Sequence, residues 1–265
     1  MEVGLNNYLR NLSSELFIKY NSAERARIDK SVDNIISNLE EYFGDEIDDS
    51  ILFGSYSRDT ILPRKYDINS DIDILIQFNT RQYDKLKPES YRNQLKKFAE
   101  TKYPKSVIIK DHPSIVLVLN HINFDLVPAL FDDGFFYDSI EIPDKDGGWM
   151  ETEPEKFDSL LTQANTRYDS IVKPVVRLMK AWNASQNYPY YSYELESAII
   201  DMNFSNDNYE SGFLYAINNL PTNYLPGNAE RKVDVLRKKA GWINEYLSRG
   251  DLDKAKQVVK RIIPH

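Results

Sequence analysis

A chain of 265 residues that is 42% hydrophobic and 28% charged has the make-up of an ordinary soluble globular protein, with room for one large domain or two smaller ones. It has no cysteine and three histidines (His112, His121 and His265), which excludes disulfides, thiol catalysis and cysteine-ligated zinc and leaves little for a histidine-built metal site. The formal charge of -8, without a dense run of lysine and arginine, argues against a protein that grips long nucleic acid through a basic face.

In chain order, residues 5–43 read as two helices broken near Asn21-Ser22. They lack a signal-peptide apolar core, and no run in the chain approaches the ~20 apolar residues that span a bilayer. A cytoplasmic protein without a membrane partner is therefore expected. The second helix begins at Ser22, with Arg25 and Arg27 in its first turns. Ile28, Val32, Ile35, Ile36 and Leu39 give it an apolar stripe, and Gly44-Asp45 ends it. A short strand, Ile51-Leu52-Phe53, runs into Gly54-Ser55. After the loop 62–67, a second strand carries Asp71-Ile72-Asp73-Ile74-Leu75-Ile76. Residues 88–102 are predicted helical, with Pro88 at the start and Leu95 and Phe98 inward. Strands follow at 107–110 and 115–119, separated by Asp111-His112-Pro113. A strand over 121–130 pairs with the latter in a hairpin through Asn120-His121, so His112 and His121 belong to turns. Residues 131–148 are turn-rich and acidic and read as a further edge strand followed by a crossing loop.

From Glu155 the pattern is helical to the end. One stripe is Phe157, Leu160, Leu161 and Ala164; another is Val172, Val175, Val176, Met179 and Trp182. Leu195, Ile199 and Met202 mark a third helix, and further helices are predicted over 211–218, 230–247 and 252–262. The basic cluster Arg231-Lys232 with Arg237-Lys238-Lys239 alternates with apolar residues, as on the solvated face of a helix. The expected organisation is α+β. A catalytic core with a mixed sheet and flanking helices fills residues 1–150, and a helical domain over 151–265 closes the active cleft.

The chemistry concentrates in residues 51–78. Side chains on a strand alternate, so Asp71 and Asp73 share one face while Ile72, Ile74 and Ile76 take the other. Two carboxylates on one face repel unless a cation sits between them, and hard divalent cations take such oxygen ligands together with substrate phosphates. Sixteen residues earlier, Gly54-Ser55 supplies a phosphate-binding turn: the glycine admits close backbone approach, and the serine offers a hydroxyl and N–H groups. In 121–129, Asn123, Asp125 and Val127 share a face. Asp125 is thus a carboxylate among apolar neighbours, costly without a partner. Separately, a Gly-Ser turn is a common turn and an Asp-x-Asp a solvated strand end, and Asp125 could cap a loop or pair with an arginine. Three strand-borne acids with a Gly-Ser turn form a two-metal phosphoryl-transfer constellation.

The order Gly-Ser, Asp-x-Asp, distant single Asp resembles the DNA polymerase β-like nucleotidyltransferase superfamily. Within it, Gly54-Ser55-Tyr56-Ser57-Arg58-Asp59-Thr60 and Asn69-Ser70-Asp71-Ile72-Asp73-Ile74 resemble the bacterial cGAS/DncV-like nucleotidyltransferases, the SMODS-type synthases of antiphage signalling. Arg177-Leu-Met-Lys180-Ala-Trp182 and Ser192-Tyr193-Glu194-Leu195-Glu196 extend the match, which fades beyond about residue 205. The resemblance implies that Lys180 and Ser192 contact the donor triphosphate and that Tyr193 stacks on its base. It puts Arg58 and Thr60 in the signature, as phosphate contacts or as supports of the turn. It puts Asn165 near the acceptor base, where an interhelical cap is the competing use. Lys173, Arg177 and Lys180 otherwise read as a solvated helix face.

The expected reaction is nucleotidyl transfer. Asp71, Asp73 and Asp125 are the catalytic acids and ligands of two Mg²⁺ ions, for which Mn²⁺ can substitute. Substrates are free nucleoside triphosphates (ATP, GTP, UTP or CTP), without a long nucleic-acid template. The resemblance implies a cyclic di- or trinucleotide product and regulatory or effector proteins encoded nearby. Two alternatives stand beside it: a same-fold enzyme with another acceptor (a linear oligonucleotide, a protein or a drug), and a catalytically inactive nucleotide-binding module.

Overall fold

The computed structural model describes residues 4–81, 85–133 and 138–264. The chain forms α1 (Leu5–Glu15), α2 (Ala23–Phe43), β1 (Ile47–Phe53), the single turn α3 (Gly54–Ser57), β2 (Asp71–Phe78), α4 (Pro88–Lys102), β3 (Val107–Lys110) and β4 (Ile115–Val118). Then come β5 (Asn123–Asp133), β6 (Asp138–Pro143), β7 (Trp149–Thr152), α5 (Pro154–Arg167), α6 (Val172–Ser185), α7 (Ser192–Ile200), α8 (Tyr209–Asn219), α9 (Gly227–Ser248) and α10 (Leu252–Ile262). They group into two compact units.

The sheet unit comprises Lys19–Arg58 and Asn69–Phe157. Its strands lie in the order β1-β2-β5-β4-β3, with β6 paired to the far half of β5 and β7 paired to β6. β2 and β5 are parallel and the other pairings antiparallel, giving the mixed sheet that was expected. A parallel pair needs a long crossover; here α4, β3 and β4 provide it. Alternation decides what each face does. Ile72, Ile74, Ile76, Phe124 and Leu126 are fully buried, on the same side of the pleat as Phe78. That side joins an aromatic layer in which Phe43 of α2 meets Phe78 edge-on at 5.4 Å and Tyr91 of α4 meets it at 4.5 Å. On the opposite face Leu75, Val127 and Ala129 form a small cluster with Ile51, Phe53, Ile140 and Ile142. Ser22 caps α2 by accepting from Arg25 N–H, and Gly44 ends it at φ +52°.

The further strand expected within 131–148 is present as β6, and β5 itself continues to Asp133; in place of a crossing loop, a turn after Pro143 leads into β7, which pairs back on β6. Ile140 and Ile142 alternate inward onto the apolar cluster, and this short period is masked in the sequence by the acids and glycines around it.

The helical unit comprises Met1–Ile18, Asp59–Ile68 and Asp158–His265. The compact units therefore divide the chain differently from the expected 1–150 and 151–265. Leu5, Leu9 and Leu12 of α1, and Leu62 of the 59–68 segment, are buried in one core with Val175, Met179, Leu195 and Phe213. α6 is the central rod of this unit, with α1, α7 and α8 packed around it. Of the stripe expected on α5, Leu161 and Ala164 are buried, whereas Leu160 is 47% exposed. Among the described residues no helix is long and apolar enough to cross a membrane.

Candidate active site

β1 delivers the chain to the site. Its last residue, Phe53, pairs with Asp73 of β2, and Gly54 then turns at φ +79° into α3. A Cβ at Gly54 would stand 1.9 Å from Asp73 Oδ2, so glycine is required here by both dihedral and space. Ser57 Oγ donates to Gly54 O at 2.9 Å, closing the turn behind Ser55. Tyr56 anchors it from below: the ring is fully buried and its hydroxyl donates to Asp29 Oδ1 at 2.6 Å. The Arg25 guanidinium lies over that ring at 4.0 Å and pairs with Asp29 at 3.3 Å. α2 thereby holds the turn, a role that sequence reasoning missed because Arg25 and Asp29 carry no motif. Arg58 stacks its guanidinium over Phe157 at 4.8 Å.

The parallel register of β2 and β5 sets Asp71 opposite Asn123 and Asp73 opposite Asp125. With period-two alternation, all four side chains leave the same face of the sheet. Ser114, just before β4, donates its hydroxyl to Asp125 Oδ2 at 3.0 Å. Burial, reinforced by the charges of Asp71 and Asp111 and opposed by the Ser114 bond, pushes the Asp125 carboxyl up to about 7. Asn123 presents a buried amide oxygen that has no hydrogen-bond partner. Among the described residues no three acids or histidines are already gathered as a metal cage. Three carboxylates beside an unsatisfied amide oxygen are a hard-oxygen donor set, and it fits a hard divalent cation.

In the helical unit α6 carries Lys173, Arg177 and Lys180. They do not form the solvated face considered from sequence: Arg177 and Lys180 are buried, and each of the three is engaged. Lys173 reaches Asp59 Oδ2 at 3.4 Å, and Arg177 donates to Asp59 O at 2.9 Å. Lys180 donates to Glu196 Oε1 at 2.9 Å, and Thr60 Oγ1 donates to the same oxygen at 3.0 Å. Ser192 and Tyr193 open α7 and are exposed. Asn165 Oδ1 accepts from Lys173 N–H at 3.0 Å, so the side chain bridges the end of α5 to the start of α6. His121 Nε2 lies 3.1 Å from Ser31 Oγ, in the turn that precedes β5.

The profile of the Second Messenger Oligonucleotide or Dinucleotide Synthetase domain, SMODS, matches residues 3–165, more than half of the chain. The chain belongs to that family. A probable cyclic nucleotide synthase of Bacillus cereus (strain VD146) is 29% identical to this SMODS protein over 114 residues, 42% of this chain and 34% of the relative. The match thus spans about a third of that relative's length. Among solved structures, the Bradyrhizobium diazoefficiens CD-NTase CdnG, in complex with GTP, superposes with a TM-score of 0.72 at 14% identity, covering 98% of this chain and 97% of the other. Vibrio cholerae DncV cyclic AMP-GMP synthase, in complex with the linear intermediate 5' pppA(3',5')pG, gives 0.64 at 12% identity and covers 100% and 82%. At these identities the structures establish the fold: a mixed sheet with flanking helices and a helical C-terminal region. The chemistry of the SMODS family is nucleotidyl transfer with divalent metal ions.

Proposed function

We propose that this SMODS protein joins nucleoside triphosphates into a cyclic di- or trinucleotide. The observation that carries the reading is the convergence of Asp71, Asp73 and Asp125 on one sheet face, with Gly54 packed against Asp73. The three carboxylates, with the Asn123 amide oxygen beside them, would hold Mg²⁺ or Mn²⁺. When bound, two such ions polarise the triphosphate and lower the pKa of an acceptor hydroxyl.

The remaining work falls to the chain. The Gly54-Ser55 turn offers N–H groups and a hydroxyl to the phosphates, and its rigidity comes from Ser57 and from the Tyr56–Asp29 bond. Lys180 and Ser192 bind the triphosphate, and the exposed ring of Tyr193 stacks on the donor base. Arg58 supports the turn, and Asn165 contributes to nucleotide binding from the end of α5. An acceptor ribose hydroxyl attacks the α-phosphorus in line; the new P–O bond forms as the bond to pyrophosphate breaks, and the hydroxyl proton leaves to solvent. A second round on the linear product closes the ring. The complex of DncV with a linear intermediate supports such a two-round course, and the complex of CdnG with GTP supports nucleoside triphosphates as substrates. The product serves as a second messenger in antiphage signalling, read by an effector encoded nearby.

Incubation with ATP, GTP, CTP and UTP and either Mg²⁺ or Mn²⁺, followed by mass spectrometry, tests the reading. The expected result is a phosphatase-resistant nucleotide and released pyrophosphate, both lost in Asp71→Asn/Asp73→Asn. Linear, phosphatase-sensitive product alone would indicate another acceptor. Nucleotide binding without pyrophosphate would indicate an inactive module.

A further inference from the structure

Glu196 stands in the signature stretch of α7, yet the mechanism above gives it nothing to do. It is 1% exposed, Lys180 is 6% exposed and Thr60 is fully buried. One carboxylate oxygen of Glu196 accepts from both partners. Fold stability does not account for the pair, because buried ion pairs replaced by neutral groups of similar size are often neutral or stabilising. Position accounts for it better. Glu196 lies one turn along α7 from Ser192 and Tyr193, and Lys180 belongs to α6, so the pair ties together the two helices that carry the donor contacts. An ammonium has three donors, and Glu196 occupies one while neutralising the charge.

We propose that Glu196 is a resident counter-ion that tempers the hold of Lys180 on polyphosphate, so that triphosphate enters and pyrophosphate leaves without being trapped. This rests on the reading of Lys180 as a triphosphate contact. An unopposed buried ammonium binds a polyanion tightly; one already paired gives up part of that gain. Glu196 is thus a positioning residue acting through Lys180, and its removal should tighten binding while slowing turnover.

The test measures inorganic pyrophosphate and tripolyphosphate binding by thermal shift and calorimetry, together with kcat and KM, in the full chain. Glu196→Gln keeps an oxygen for Thr60 and Lys180 and removes the charge. It should bind both polyphosphates on the order of tenfold more tightly, with kcat and KM falling together. Lys180→Met should bind them more weakly than wild type. Lys180→Met/Glu196→Gln, with no buried charge left, should melt near wild type and match the weak binding of Lys180→Met. If Glu196→Gln does not fold, Glu196→Asp, whose carboxylate is one methylene short, should shift in the same direction by less. A tighter Glu196→Gln or Glu196→Asp supports the proposal; unchanged or weaker binding overturns it, even where Lys180→Met confirms the lysine contact. Unaltered polyphosphate binding in Lys180→Met refutes the lysine contact itself, and the proposal with it.

Discussion

On the face of β2 and β5, Asp71, Asp73 and Asp125 stand together, with Asp73 directly opposite Asp125. On α6 of the helical unit, Lys173, Arg177 and Lys180 each meet an acidic residue, through its side chain or its carbonyl. The first arrangement concentrates charge of one sign; the second sets Lys173 and Lys180 each against a carboxylate. A fold keeps like charges together only where a ligand of opposite sign completes them. The sheet unit should therefore answer strongly to divalent cations, whereas Lys173 and Lys180 of the helical unit already have carboxylates beside them.

Removing the acids tests the difference most severely. Asp71→Asn/Asp73→Asn should lower product formation by at least about a thousandfold. Its melting temperature without metal should hold or rise, because two repelling charges have gone. Robust turnover would place the chemistry elsewhere.

The next test leaves the residues in place and changes the proton. Asp125 titrates near 7 in the folded protein, above its ordinary 3.8. Between those values the folded chain keeps a proton that the unfolded chain has lost, so stability falls as pH rises from about 4 to about 7 and is flat above. The full shift corresponds to at most about 4 kcal/mol. Metal-free protein should therefore melt higher at pH 5 than at pH 8, and Asp125→Asn should flatten that slope. Saturating Mn²⁺ should raise the melting point most at pH 8, where Asp125 is already ionised, and proton release on binding should appear below pH 7. A metal-free melting point that climbs across this window would contradict the environment assigned to Asp125.

A backbone test is smaller. Gly54→Ala puts a methyl group on Asp73 Oδ2 at a dihedral that suits glycine. The strain should cost about 1–3 kcal/mol of stability. Displacement of the turn should cost about a hundredfold in turnover. Near-normal activity would show that the turn can move without harm.

How legible each unit was follows from the range of its interactions. The acids declared themselves through a period of two within single strands, and Gly54-Ser55 through a motif a few residues long. The parallel register that sets Asp73 against Asp125 joins residues far apart in sequence, and no local pattern contains it. The same holds more strongly for α6. Lys180 could be matched to a family position, but its partner Glu196 and the Thr60 bond, 136 residues from Glu196, could not be foreseen. A carboxylate between the inward Leu195 and Ile199 was the available hint. β7 escaped because its apolar residues are few and flanked by turn formers, and α1 joined the helical core through leucines that would have served either unit.

Tyr193 offers the finest test, because a core role and a stacking role make opposite demands on it. As a core residue of α7 it would lose 3–5 kcal/mol of stability on truncation; as a stacking platform it would lose binding alone. Its 62% exposure removes the first reading. Tyr193→Ala should therefore shift stability by no more than about 0.5 kcal/mol. It should weaken nucleotide binding by about 1–3 kcal/mol, and Tyr193→Phe should be nearly silent, since stacking uses the ring. Tyr191, two residues earlier and also exposed, supplies the control: the same truncation there should leave the Michaelis constant unchanged. An unchanged Michaelis constant in Tyr193→Ala would sink the stacking role. Equal losses at both tyrosines would mean that α7 presents an unspecific aromatic surface, and the placement of Ser192 and Lys180 against the triphosphate would then need support from their own variants.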